Sequence, residues 1–356
     1  MDRSRKAAPR RAALASLAGI VGAALAFAAS SCALDEMPFD PGEKRVFAGG
    51  VEVDGRTLNE GYAAYTRYCY ACHGEKGEGN GPSSHGLRPP PRDFTKGIFK
   101  FARVGSSDQL PHDEDLKRIV KGGLHGTAML PWDIPDAELT RIVHYLKTFA
   151  PKKWEKKKKS GEPVKTLDPF QPTPDPWIGK EAEAVQLGKE LYHFRAECMS
   201  CHPAYDTREG LHRMSVAAAQ REPDRFKAIA SFREDMYQPV AKESPEYGGK
   251  LLPPDFLLNP VRSIRPESRA LDLYRLISYG VYPVMPAWKD AGLSDSDIWA
   301  LAHYVGSLLD MKGTPAARAL RDSIAGQGPF AVPAAAPAPA PAPTPTPTPG
   351  ATKPGE

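Results

Sequence analysis

Cys69-Tyr-Ala-Cys-His73 returns further along the chain as Cys198-Met-Ser-Cys-His202. Each stretch places two thiols three positions apart and a histidine directly behind the second. Cys-x-x-Cys-His is the attachment signature of c-type haem. The two thiols bond to the porphyrin edge, and the adjoining imidazole lies under the iron as an axial ligand. The chain has 5 cysteines, so these four leave only Cys32. Paired Cys-x-x-Cys motifs also suit a four-sulfur zinc site or a redox dithiol. Neither explains the two trailing histidines, which makes two covalently bound haem c groups the expected cofactors.

Around both motifs the sequence repeats in a fixed order. Gly61-Tyr-Ala-Ala-Tyr-Thr-Arg-Tyr leads into Cys69, and Gly188-Lys-Glu-Leu-Tyr-His-Phe-Arg-Ala-Glu leads into Cys198. Both read as short amphipathic helices. A proline element follows: Pro89-Pro-Pro-Arg-Asp-Phe94 in one copy, Pro253-Pro-Asp-Phe256 in the other. Next come a basic-apolar helix and a methionine turn, Ala-Met129-Leu-Pro-Trp132 and Val-Met285-Pro-Ala-Trp288. Each copy closes with a predicted helix, 136–149 and 294–309. Asp136 and Ser294 stand at the helix starts, where side-chain oxygens and acidic first turns suit the exposed N–H groups. His144 and His303 on these helices are expected as packed or surface residues rather than ligands. After the haem motif the second copy is longer by about 34 residues, as loops tolerate long insertions. This insertion falls within 214–249 and is predicted helical over 216–237. It is expected as a solvated excursion; covering a haem edge or meeting a partner is the alternative.

The chain begins MDRSRKAAPRR, with five basic residues and one acidic, followed by an apolar run from Ala12 to Ala29 and then Ser30-Ser31-Cys32. A basic segment, an apolar segment and small residues make a secretory signal peptide. The cysteine directly behind them resembles the lipobox of bacterial lipoproteins, which implies lipidation at Cys32. The alternative is an uncleaved transmembrane helix, for which this run is short. The +4 formal charge of the whole chain resides in that leader, so the chain from Cys32 is formally neutral. No basic face points to nucleic acid.

The expected organisation is therefore a leader over 1–31, a tether over 32–54, haem domains over 55–150 and 180–310, a basic and proline-rich linker over 151–179, and an Ala/Pro-rich tail over 311–356. Pro151 to Lys165 reads as a solvated linker, with docking to an acidic partner or anionic headgroups as its alternative. The tail reads as low complexity and extended.

An iron that passes electrons without binding substrate needs a second axial ligand opposite His73 and His202. A methionine sulfur there raises the potential relative to a second histidine. Met129 and Met285 hold matched positions, each close before a proline that stiffens the turn and a tryptophan that can wall a cleft. Met199, Met214, Met236, His125 and His212 are weaker candidates without a matched partner.

Together these residues resemble the class I cytochrome c family over roughly 55–150 and 180–310. The resemblance implies an all-α fold with two tandem haem domains. It also implies that Gly61 and Gly188 let the first and last helices of each copy pack closely. Gly77-Glu-Gly-Asn-Gly-Pro82 resembles the loop behind the haem motif in that family, and the second copy lacks it. The function so implied is a lipid-anchored electron carrier on the periplasmic side of a bacterial membrane, without enzymatic activity of its own. Its expected partners are respiratory redox proteins: a quinol-oxidising complex, a terminal oxidase or a periplasmic reductase. A di-haem peroxidase or thiosulfate-oxidising cytochrome is the alternative, and it would need an iron with an open or displaceable distal position.

Overall fold

The computed structural model describes residues 37–327, apart from Ser107, together with 330, 332 and 333. The leader, Cys32 and the proline-rich end of the tail lie outside the described residues. Buried side chains form two hydrophobic clusters, one drawn from Phe47 to Trp154 and the other from Leu191 to Ala317.

The chain enters the first cluster through an antiparallel hairpin, β1 (Lys44–Phe47) and β2 (Val51–Asp54). Phe47, Ala48 and Val53 are buried there. The second half of the expected tether is thus part of the first core, because alternate residues of the hairpin turn apolar side chains inward. Asp54 then caps α1 (Gly55–Tyr68) by accepting the Thr57 N–H at 2.8 Å, a standard N-cap bond. The helices α2 (Asp113–Gly122) and α3 (Asp136–Lys147) complete this half. Asp136 is the first residue of α3 rather than its cap, and its carboxylate instead binds Lys117 and Lys121 of α2 at 2.7 and 2.8 Å.

The crossing of α1 with α3 depends on Gly61. A Cβ there would sit 2.3 Å from the Arg141 carbonyl oxygen. The second half repeats this crossing between α4 (Glu181–Glu190) and the closing helix Asp295–Met311, where a Cβ on Gly188 would lie 2.1 Å from the Ala300 oxygen. The resemblance implied this close approach, and it occurs twice.

Beyond α4 the insertion begins with α5 (Arg208–Arg221), earlier than expected, and continues as coil to the hairpin β3 (Lys242–Ser244) and β4 (Gly249–Leu251). It is not a solvated excursion. Leu211, Ala218, Phe226 and Met236 are buried in the second core, and the Ala204 N–H donates to the Met236 carbonyl at 2.7 Å. Arg233 donates to the Met199 carbonyl at 3.2 Å, so the insertion folds over the second cysteine motif. Its many charged residues give it a solvated composition, while a few apolar anchors among them decide its path. Next come α6 (Arg269–Tyr279), α7 (Asp295–Met311) and α8 (Pro315–Ala325). Ser294 caps α7 in a reciprocal bond with Asp297. The start of the expected tail is therefore helical, held through buried Ala317.

The basic stretch is also more ordered than its charge suggests. Pro151–Trp154 is a helical turn, and Trp154 is 0% exposed against Phe99 and Lys147. Lys156–Lys159 stay exposed, so one tryptophan settles the placement while the lysines keep their water. Downstream, Phe170 and Trp177 pack against the second core. No helix among the described residues is long and apolar enough to cross a membrane.

Candidate haem sites

His73 and His202 are held in the same way. The Nδ1 of His73 lies 3.1 Å from the Arg92 carbonyl oxygen, and that of His202 lies 3.1 Å from the Pro254 carbonyl oxygen. A carbonyl only accepts, so Nδ1 carries the proton and Nε2 keeps its lone pair for a metal. Each imidazole stacks on the phenylalanine of its proline element, Phe94 at 4.4 Å and Phe256 at 4.9 Å between ring centres. Burial pulls both imidazoles below their ordinary pKa, which favours the neutral, ligating form.

The methionine turns also match. In the first, the Leu124 N–H donates to the Met129 carbonyl at 2.7 Å, and the Trp132 N–H reaches back to the Val120 carbonyl of α2 at 3.2 Å. In the second, Val281 and Met285 exchange backbone bonds at 2.9 Å, and the Trp288 N–H reaches the Ile277 carbonyl of α6 at 3.2 Å. Each turn folds back on the glycine that ends the preceding helix. Gly123 has φ +62°, Gly280 φ +67°, and a Cβ would lie 2.6 Å from the Pro131 nitrogen or 2.3 Å from the Met285 oxygen respectively. No side chain fits either position, because both obstacles are backbone.

Cys69, Cys72, Cys198 and Cys201 form no disulfide. Burial pushes the Cys69 and Cys198 thiols up to about 12, the opposite of a reactive dithiol, which needs a lowered pKa. Cys69 packs against the first core and Cys198 against the second, so the pairs do not assemble a shared four-sulfur site. Around the first motif, Tyr70, Leu130 and Trp132 stand exposed, and Tyr68 meets Trp132 edge-on at 5.6 Å. Large apolar side chains left uncovered beside paired cysteines and a ligating histidine fit a haem lying against them. In the second half Met285, Cys198 and Met199 pack on the core. Of the weaker candidates, Met236 is spent in the second core at 1% exposure. His303 binds Asp175 at 2.8 Å and His144 approaches Asp113 at 3.5 Å, as packed residues do.

Several contributors escape sequence reading. The Arg92 and Pro254 carbonyls that orient the histidines carry no side-chain signal. Tyr65 and Tyr192, whose hydroxyls donate to the Gly74 and Pro203 carbonyls at 2.6 and 2.9 Å, each stand four positions after the crossing glycine, Gly61 or Gly188. That match was the signal available. Gly123 and Gly280 were legible as helix-ending glycines.

The model of the family described as cytochrome c oxidase, cbb3-type, subunit III, matches residues 56–146 and again 183–305. No curated protein matches the chain. Among solved structures, a chain of the Kuenenia stuttgartiensis reducing HAO-like protein complex Kustc0457/Kustc0458 is 27% identical, with a TM-score of 0.47, over 70% of this chain and 96% of that one.

Proposed function

We propose that this chain, which belongs to the family described as cytochrome c oxidase, cbb3-type, subunit III, carries two haems c and relays single electrons between redox proteins of a bacterial cell envelope. The family assigns a class I cytochrome c-type domain to two regions of the chain and with it a haem electron-transfer role. One observation carries the finer reading: both halves present an imidazole locked by a carbonyl at 3.1 Å and a methionine in a turn closed on a helix-ending glycine.

In this reading Cys69 and Cys72 tether one haem, and Cys198 and Cys201 the other. His73 with Met129, and His202 with Met285, would hold the two irons. The bound haem supplies a one-electron couple. The chain's residues fix the imidazole tautomer through the Arg92 and Pro254 carbonyls and pack Phe94 and Phe256 on the two rings, while Met129 and Met285 would offer the second ligand. Two protein ligands per iron leave no position for a substrate, which favours a carrier over an enzyme. Lipidation at Cys32 would tether it on the periplasmic side of a membrane, within reach of a quinol-oxidising complex, a terminal oxidase or a periplasmic reductase. Such redox encounters are weak and use small surfaces.

The test is a pyridine haemochrome count on the purified protein, followed by Met129→His and Met285→His. Two haems are expected, and each substitution should lower one midpoint potential and remove the methionine–iron near-infrared band from one haem. A count below two, or rapid carbon monoxide binding to either ferrous iron in the unsubstituted protein, overturns the carrier reading.

A further inference from the structure

Three cations gather where the two halves meet. The Arg92 guanidinium and the Lys100 ammonium lie over the Tyr247 ring, at 4.2 and 4.0 Å from its centre. Tyr247 belongs to the insertion of the second half. Arg262, also of the second half, is close enough to Lys100 to push its pKa down. Among the described residues none of these three half-buried cations makes an ion pair, whereas other cations withdrawn from water do. Arg103 shares a fork with Asp115, Lys147 has Asp113, and Arg265 and Arg275 share Asp272. Burial and the two neighbouring arginines pull Lys100 down to about 8, and burial also lowers Arg92. Asp93 acts on Arg92 from next door, but its carboxylate is engaged by Thr95 and approached by Lys96 at 3.7 Å; desolvated like charges with so little counter-charge are unfavourable, and the cation–π contacts offset only part of the cost.

The position of the cluster says what anion belongs there. Arg92 is the residue whose carbonyl oxygen orients His73. Arg262 is the residue whose carbonyl accepts the His125 N–H at 2.8 Å, and His125 opens the turn that ends in Met129. The cluster is thus bounded by the segment that holds one axial ligand of the first iron and the segment that holds the other. A haem held by those two segments would bring two propionate carboxylates as its anionic groups, and unpaired cations in the adjoining walls are the chemistry that suits them.

We propose that Arg92 and Lys100 of the first half, with Arg262 of the second, form the propionate cradle of the first haem, so that the second half contributes directly to the first haem's potential. This rests on the two-haem reading above. Cations at the propionates disfavour the oxidised iron, which carries one more positive charge. Removing one lowers the potential.

The experiment is an optical redox titration of the holoprotein, unsubstituted and with Met129→His, which marks the first haem by its low potential. In both backgrounds Arg262→Gln should shift the first haem's reduction equilibrium about tenfold toward the oxidised form, about 59 mV for one electron, and leave the second wave in place. Arg262→Lys should stay near the parent. Lys100→Gln, on the other wall, should lower the same wave. Arg265→Gln disturbs the contact between the halves through Asp272 but not the cradle, and should leave the first haem unchanged. The proposal falls if Arg262→Gln moves neither wave or only the second, or if Arg265→Gln lowers the first wave equally. The haemochrome count on the same samples separates the two failures: two haems with unmoved potentials sink the cradle alone.

Discussion

Replacing Gly61 by alanine tests the packing that both halves share. The added methyl would lie 2.3 Å from the Arg141 oxygen, 2.9 Å from its carbonyl carbon and 3.0 Å from the Tyr145 Cβ. Two of these three atoms are backbone of α3 and cannot rotate away, so the helices must part by about 1 Å to restore van der Waals distance. The parting acts on a tight aromatic group: Tyr65 lies 5.2 Å from Tyr145 and 5.3 Å from Phe149, with Tyr145 and Phe149 5.0 Å apart. Overpacking of this kind costs roughly 1–3 kcal/mol, and a backbone obstacle places the expected loss in the upper half, about 2–3 kcal/mol. Helix propensity returns about 1 kcal/mol of that at most. The net loss lowers Tm by about 2–4 °C per kcal/mol in a unit of 150–250 residues, and by about twice that in one near 100. Thermal unfolding followed by near-ultraviolet circular dichroism measures it. Gly306→Ala is the control. It lies in the middle of α7, where a Cβ would meet nothing nearer than Leu273 Cδ1 at 3.8 Å, so it should be neutral or stabilising. Equal unfolding temperatures for Gly61→Ala and the unsubstituted protein would refute the argument that glycine is required at the crossing.

Asp115→Asn leaves Arg103 without its carboxylate fork, whose two bonds measure 2.7 Å with both side chains 4% exposed. An unpaired buried charge costs about 3–5 kcal/mol, and urea denaturation should show a loss of that order; a change under about 1 kcal/mol would contradict it. The pH dependence follows from Asp113. Burial works against its charged form, yet hydrogen bonds from His144 and Lys147 outweigh that and hold the carboxyl down at about 2, from an ordinary 3.8. A lowered folded-state value stabilises the fold above the unfolded value, and that contribution is lost as the pH falls from about 4 to about 2. Asp113→Asn should flatten the stability profile across that window, and an unchanged acid limb would count against the assignment.

The pattern Cys-x-x-Cys-His points to its chemistry by residue type, and in each copy a methionine stands three positions before a tryptophan, so candidate ligands could be nominated and the helical repeat read from the sequence. What was missed shares a physical cause. Trp154 sits between Lys152-Lys153 and the four lysines of 156–159, and a charge average hides one buried indole worth more burial than several solvated lysines cost. The insertion deceived in the same manner, since Phe226 and Met236 are sparse anchors in a charged stretch. The β1–β2 hairpin is only four residues a side, too short for alternation to stand out. Carbonyl partners such as those of Arg92 and Pro254 leave no trace in side-chain identity.

The contact between the halves carries strain that a mere tether would not need. Phe101 and Arg103 adopt φ +63° and +61°, a conformation that costs non-glycine residues on the order of 1–3 kcal/mol each. In return the Phe101 carbonyl accepts from Arg118 at 2.8 Å, and Arg103 reaches Asp115 and, at 2.6 Å, the Asp168 carbonyl. Arg118 then faces Asp272 of the second half at 3.7 Å, while the His125 N–H bridges to the Arg262 carbonyl at 2.8 Å. Two left-handed residues thus aim one guanidinium within the first half and free a carbonyl for another that spans both halves. On the two-haem reading proposed above, electron exchange would depend on the separation of the haems, and a backbone strained to hold an ionic contact between the halves would keep that separation fixed where a solvated linker would let it vary.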